Sequence, residues 1–131
     1  MGVSRFKQGE SPSSPLGKAD FEWFYSGSLQ EGDDLKIPPK TKIIDVYINR
    51  LDCVLKVAPE GGASDGKVIV GFYKNSALID TVEIDPGDTE GTTSIPLTLV
   101  TAGDLMEVAI EQVGLTFEGV TLSAYARVAA T

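Results

Sequence analysis

Histidine is absent from this sequence, and that absence excludes a good deal of chemistry. Ser-His-Asp and Cys-His catalysis need an imidazole to carry the proton, and most zinc sites need one as a ligand. Cys53 is the only cysteine, so no internal disulfide can form. A lone thiol fits synthesis in a reducing cytoplasm, and its simplest role is that of a small buried hydrophobe. No apolar run approaches the roughly 18 residues that cross a bilayer. The opening residues, MGVSRFKQGESPSSPLGKAD, have no apolar centre, so no secretory signal is expected. A myristoylation pattern is not expected either, because Phe6 stands where it would place Ser or Thr. Positive charge is scarce too: 11 Lys and Arg face 19 Asp and Glu, a net −8. Residues 1–20 hold three cations (Arg5, Lys7, Lys18) against Glu10 and Asp20, which leaves −9 for the remainder. Such a body repels phosphate backbones and anionic lipid, so neither a nucleic acid nor a membrane is an expected partner. GGASDGK ends in Gly-Lys but lacks the spacing and the Ser/Thr of a phosphate-binding loop.

What is present is strand and turn. A chain of 131 residues is one domain's worth. Residues 1–20, with Ser11, Pro12, Ser13, Ser14 and Pro15, read as a flexible or extended arm, and residues 21–131 as the folded domain. Short runs rich in Val, Ile, Thr and aromatics recur between Gly, Pro and Asp clusters, and predict strands near 21–29, 42–51, 53–58, 67–74, 78–85, 93–100, 105–113 and 120–129. Ile44, Val46 and Ile48 alternate with Asp45, Tyr47 and Asn49. Val68, Val70 and Phe72 share a face, as do Val120, Leu122, Ala124, Ala126 and Val128. KNSA is a short hairpin loop, DPGDTEG holds the turn pair Pro86-Gly87, and IPPK is a stiff connector. About eight antiparallel strands without a helix predict an all-β sandwich of jelly-roll type, with a barrel as the alternative.

Glu107 and Glu111 decide whether an acid–base pair exists. As a helix, their stretch would set two like charges side by side. As a strand, Met106, Val108 and Ile110 face inward, and the two carboxylates lie on the wet face about 13 Å apart. That exceeds the spacing of a glycosidase pair, so a solvated strand face is the expectation and no catalytic residues are assigned. Two acidic loops, one with Asp85, Asp88 and Glu90, the other with Glu31, Asp33 and Asp34, are weak calcium candidates; simple solvation is the main reading, and no cofactor is expected. In FEWFY, alternation puts Phe21, Trp23 and Tyr25 on one side and Phe24 on the other. Core packing, a subunit interface and a sugar-binding platform all stay open for this cluster.

Three longer stretches carry a resemblance: FYSGSLQEGDDLKIPPKTKIIDVYINR, VIVGFYKNSALIDTVEI and VTAGDLMEVAIEQVG, followed by a closing strand that ends in Arg127. In this order they resemble the small β-sandwich structural proteins of tailed-phage virions, among them capsid decoration (cement) proteins, head fibres and modules of tail proteins. The resemblance implies a non-enzymatic virion protein on the capsid surface, made in the host cytoplasm. It would form a homotrimer, bind the major capsid protein across neighbouring subunits, and stabilise the shell. It also implies an arm that reaches onto the capsid or a neighbouring copy. Fully stretched, 20 residues span about 65 Å. Phe6 and Leu16 would anchor such an arm, and Arg5, Lys7 and Lys18 would pair with an acidic surface. Phe21, Trp23 and Tyr25 are the further contact candidates. The alternative is a tail- or head-fibre-associated module that binds host-surface carbohydrate through Trp23, Tyr25, Tyr47 or Tyr73.

Overall fold

Alternating apolar residues bury one face of each strand, and two such faces close on each other. The computed structural model describes residues 20–26, 40–59, 66–113 and 121–129. Seven strands follow in order: β1 (Phe21–Tyr25), β2 (Val46–Leu55), β3 (Val68–Lys74), β4 (Ala77–Ile84), β5 (Glu90–Val100), β6 (Met106–Gln112) and β7 (Leu122–Val128). One sheet has the order β1-β7-β2-β5, the other β4-β3-β6, and every pairing is antiparallel. Lys40 adds a bridge to the free side of β6, its N–H donating to Met106 O and its carbonyl accepting from Met106 N. The second sheet therefore reads Lys40, β6, β3, β4. Among the described strands β3 and β4 form a hairpin within a sheet; β1 and β2 share the four-stranded sheet with Lys40 of the other sheet between them in sequence, and every later connection except β3–β4 changes sheets. This is the winding of a jelly roll. No helix among the described residues is long and apolar enough to cross a membrane.

The largest departure from the sequence reading is at β2. Two strands, 42–51 and 53–58, were expected; one strand runs from Val46 to Leu55. Its buried positions are Val46 and Ile48, then Leu51, Cys53 and Leu55. The inward phase changes from even to odd numbers because the register shifts between Ile48 and Arg50 against both neighbours. One unpaired residue flips every later side chain to the other face, so a continuous strand looks broken by its alternation. Ile43 and Ile44 lie before the strand and are exposed.

Elsewhere the expected faces hold. Val68, Val70 and Phe72 are buried, as are Met106, Val108 and Ile110, and Leu122, Ala124, Ala126 and Val128; Val120 lies outside the described residues. Asn75 and Ser76 make the β3–β4 hairpin with φ of 50° and 72°, both positive as a type I′ turn requires. Asp88 N–H donates to Asp85 O across Pro86-Gly87, so that turn also forms. In Thr101–Asp104 the third residue is Gly103 at φ 90°, the position where a type II turn needs a residue without Cβ.

The aromatic run of β1 joins the two sheets. Phe21 stacks on Trp23 at 6.1 Å, and Trp23 meets Phe72 of β3 edge-on at 5.9 Å. The sheets close again where β5 passes β4. A Cβ on Gly91 would lie 2.5 Å from Glu83 O, and Thr93 Oγ1 donates to Thr81 O at 2.7 Å. Gly91→Ala forces backbone against backbone, and is expected to lower unfolding free energy by about 2 kcal/mol in urea melts. An unchanged midpoint would show that the β4–β5 approach can relax.

Candidate functional site

Two surface regions combine defined geometry with distinctive chemistry. The first is the outer face of the four-stranded sheet. Because Phe21 and Ala126, then Leu51, face inward in register, Asp20, Arg127, Asp52 and Thr92 fall on the outer side. Arg127 Nε donates to Asp52 Oδ2 at 2.7 Å and its Nη1 to Asp20 Oδ2 at 3.0 Å. Thr92 Oγ1 donates to Asp52 Oδ1 at 2.6 Å, and Arg50 Nε to Asp52 Oδ2 at 3.1 Å. The backbone N–H of Val128 donates to Asp20 Oδ1 at 2.8 Å. One guanidinium thus links residues on or beside three strands, and Thr92 of β5 joins them through Asp52. Its plane also lies over the Tyr125 ring, 4.2 Å from the centroid. Beside it runs a groove of about 280 Å³, lined by Asp52, Cys53, Val54, Glu90, Gly91, Thr92 and Arg127.

Burial by itself would push the Asp52 carboxyl up. The hydrogen bonds from Thr92 and Arg127, with the charges of Arg50 and Arg127, outweigh it and hold that carboxyl below its usual range. Burial would likewise loosen the Arg127 proton, but Asp52 and Asp20 reverse the effect and raise its pKa. Cys53 is buried, and burial first, then the Asp52 charge, pushes its thiol far up. Both effects disfavour the thiolate, the reactive form of a cysteine. Asp52 accepts from Arg127, Thr92 and Arg50, and Asp20 from Arg127 and the Val128 N–H, so the cluster binds strands together.

The second region is the open side of the sandwich, where β4 and β5 are outermost in their sheets. On β5, Ile95, Pro96 and Leu97 fall between the residues paired to Ile48 and Arg50, three residues against one on β2. The bulge leaves a cleft of about 340 Å³ between β4 and β5, lined by Lys74, Ala77, Leu78, Ile79, Asp80, Ile95, Pro96 and Thr98. Leu78 and Leu97 beside it are 55% and 61% exposed. Leu99, also exposed, pairs with the exposed Tyr47 across β2.

The contact candidates of β1 are corrected by burial. Phe21, Trp23 and Tyr25 are 1%, 2% and 7% exposed. They form core, not a subunit contact or a sugar platform, because the inward face of an edge strand is covered by the opposite sheet. Trp23 Nε1 finds no hydrogen-bond partner in that interior, so packing holds the ring. Phe24, on the other face, is the exposed aromatic of this strand at 56%. Among the described residues no three His, Cys, Asp or Glu side chains converge to hold a metal, so Asp85, Asp88 and Glu90 do not assemble the calcium site weighed above. Asp85 instead approaches Lys67, 4.0 Å away. Glu107 and Glu111 do lie on the outer face of β6, and Glu111 accepts a hydrogen bond from Tyr73 Oη. Arg5, Phe6, Lys7, Leu16 and Lys18 lie outside the described residues, as do Glu31, Asp33 and Asp34. Asp20, expected as the last residue of the arm, has a fully buried side chain and belongs to the sandwich.

Sequence reasoning did not single out Asp20, Asp52 and Arg127 as a unit. The available signal was a lone cation on the polar face of the alternating closing strand, but its partners are 107 and 75 residues away in the chain. No known protein-family model matches the sequence, and no curated protein matches it.

Arg127→Met would strand the buried Asp20 and the partly buried Asp52, and is expected to cost about 3 kcal/mol in urea melts, with Asp20→Asn costing less. A loss within experimental error of zero would show that the carboxylates find other partners. The pH dependence follows from Asp52 and Asp104. Asn75 and then Thr101 hold Asp104 below its usual range by hydrogen bonds. Folded-state values below the unfolded value of about 3.9 contribute stability that is present above that pH and lost as pH falls through the folded values. Asp52→Asn should therefore flatten the decline of the thermal midpoint below about pH 4. A decline as steep as that of the parent chain would assign acid sensitivity to other carboxylates.

Proposed function

We propose that this chain is a non-enzymatic structural protein of a phage virion, a decoration or cement protein bound across neighbouring capsid subunits. The observation that carries the reading is the placement of its exposed apolar side chains. Phe24, Tyr47, Val54, Leu78 and Leu99 stand at paired positions of the strand ladders, and Leu97 on the bulge of β5. Apolar groups presented on a rigid frame suit a broad contact with another protein, since little order is lost when the contact forms. The likeness of its sequence to small β-sandwich virion proteins supports the same reading, and the negative body suits a mount outside the shell, away from packaged nucleic acid. Each bound copy would add interface across a capsid junction, so that pulling the junction apart also requires releasing the copy.

The test is to strip heads of the phage that encodes this chain, add the purified protein back, and heat them. Re-decoration is expected to raise the temperature at which the shells disrupt. No rise at saturating protein would eliminate the cementing mechanism.

A second reading, a carbohydrate-binding recognition module on a tail or head fibre, is favoured by the outer face of the four-stranded sheet. There the exposed Phe24 pairs with Ser123, one strand from Val54 and the groove of Asp52, Glu90 and Thr92. A ring beside hydroxyls and carboxylates is the chemistry that holds a neutral sugar. Binding of the host surface polysaccharide would be reduced by Phe24→Ala under this reading, and left unchanged under the first.

A further inference from the structure

The side on which β4 and β5 are outermost carries an aggregation hazard. Between Glu90 and Asp104 the sequence holds no charged residue, and most of that run is β5. It is rich in Thr, Ile, Leu and Val, and Leu97 and Leu99 stand exposed on it. An uncharged segment of high β propensity at a sheet edge is a template for pairing with another chain, through the backbone first and then through stacked side chains. Leu78, exposed on β4 beside the cleft, extends the same apolar surface.

Backbone groups that such pairing needs are engaged or missing along this side. On β4, the Thr81 N–H donates to Asp80 Oδ1 at 2.7 Å, and the Thr81 carbonyl accepts from Thr93 Oγ1 at 2.7 Å. On β5, Pro96 has no N–H to offer. Its carbonyl accepts from Thr98 Oγ1 at 2.8 Å, and the Leu99 carbonyl accepts from Lys74 Nζ at 3.0 Å. Asp80, Thr93, Thr98 and Lys74 thus take places that the backbone of an added strand would fill. Water alone satisfies an exposed N–H or carbonyl, so these contacts matter most against a second backbone. Pro96 also stands in the middle of the bulge, where three residues of β5 oppose one of β2 and the edge cannot run straight. Proline at that point divides the uncharged run in two.

We propose that the β4–β5 side is a guarded edge: Pro96, with Asp80, Thr98 and Lys74, prevents the addition of a further strand, so that Leu78, Leu97 and Leu99 stay exposed without seeding an open-ended ladder. Contacts made on this side are therefore contacts of side chains. The inference concerns the chain alone and does not depend on the virion reading: shell stabilisation and strand addition are measured separately, and either can fail without the other.

The experiment is to agitate the full-length chain at neutral pH, as parent, Pro96→Val and Pro96→Lys, and to follow thioflavin T fluorescence, with fibre diffraction on the product. Both variants lose the proline ring and gain an N–H. Valine places it beside an apolar side chain, whereas lysine brings a charge that blunts edge pairing. The expected result is a baseline trace for the parent and for Pro96→Lys, and a several-fold rise for Pro96→Val with the reflection at about 4.7 Å of stacked strands. A baseline trace for Pro96→Val overturns the proposal. So does an equal rise for Pro96→Lys, which would make loss of the ring's rigidity the cause, or an equal rise for the parent. Should Pro96→Val lose its fold, Lys74→Met carries the test, because it frees the Leu99 carbonyl and leaves the bulge intact. A rise in that variant supports the guard, and a baseline trace refutes it.

Discussion

The four-stranded sheet depends on one guanidinium. Arg127 is the point where Asp20, at the start of β1, and Asp52, in the middle of β2, meet β7, and Thr92 extends the link to β5. Ladder hydrogen bonds alone allow neighbouring strands to slip; a charged group that satisfies two carboxylates at fixed positions does not. Asp20 has no side-chain exposure, and Arg127 and the Val128 N–H are among the groups that make its buried charge tolerable. The register of the sheet is thereby tied to an electrostatic requirement. The polar face of the sheet, which sequence composition would assign to solvent, is where its alignment is specified.

Register then determines the core. With β1 aligned on β7, Phe21, Trp23 and Tyr25 all point inward, and the Phe21–Trp23 stack reaches Phe72 on the opposite sheet. A slip by one residue would place Glu22 and Phe24 inside and three aromatics outside. The phase change in β2 obeys the same constraint. Because β2 pairs with β7 on one side and β5 on the other, one irregularity near Arg50 must be accommodated by both neighbours, and it appears in both registers. On β5 it becomes the bulge at Pro96, so the exposed apolar ridge at Leu97 and the pairing geometry of the sheet's interior have one origin.

The two sides of the sandwich are consequently unlike. Where β5 carries Gly91 and Thr93 it lies against β4, with no room for a Cβ. A few residues further along, the bulge lifts it away and the cleft opens. This asymmetry places the exposed Leu78 and Leu97 side by side at the open end of β4 and β5. Rigid presentation of apolar side chains is what a structural role requires, and it links the fold to the functional reading.

Much of the architecture was legible in the residues themselves. Alternation in Val68–Phe72, Met106–Ile110 and Leu122–Val128 is a local property, imposed by the two-residue period of a strand, and it named the buried faces and the all-β class directly. The Asn75-Ser76 and Pro86-Gly87 turns are local too. What only the tertiary structure decided were the relations between distant residues: that Arg127 meets Asp20 and Asp52, that β2 is one strand with a phase change, that Trp23 faces Phe72 and so is core, and that Leu78 and Leu97 flank a common cleft. Alternation tells a strand which face is inward. Pairing partners and register arise from the simultaneous packing of both sheets, which no single stretch of sequence encodes.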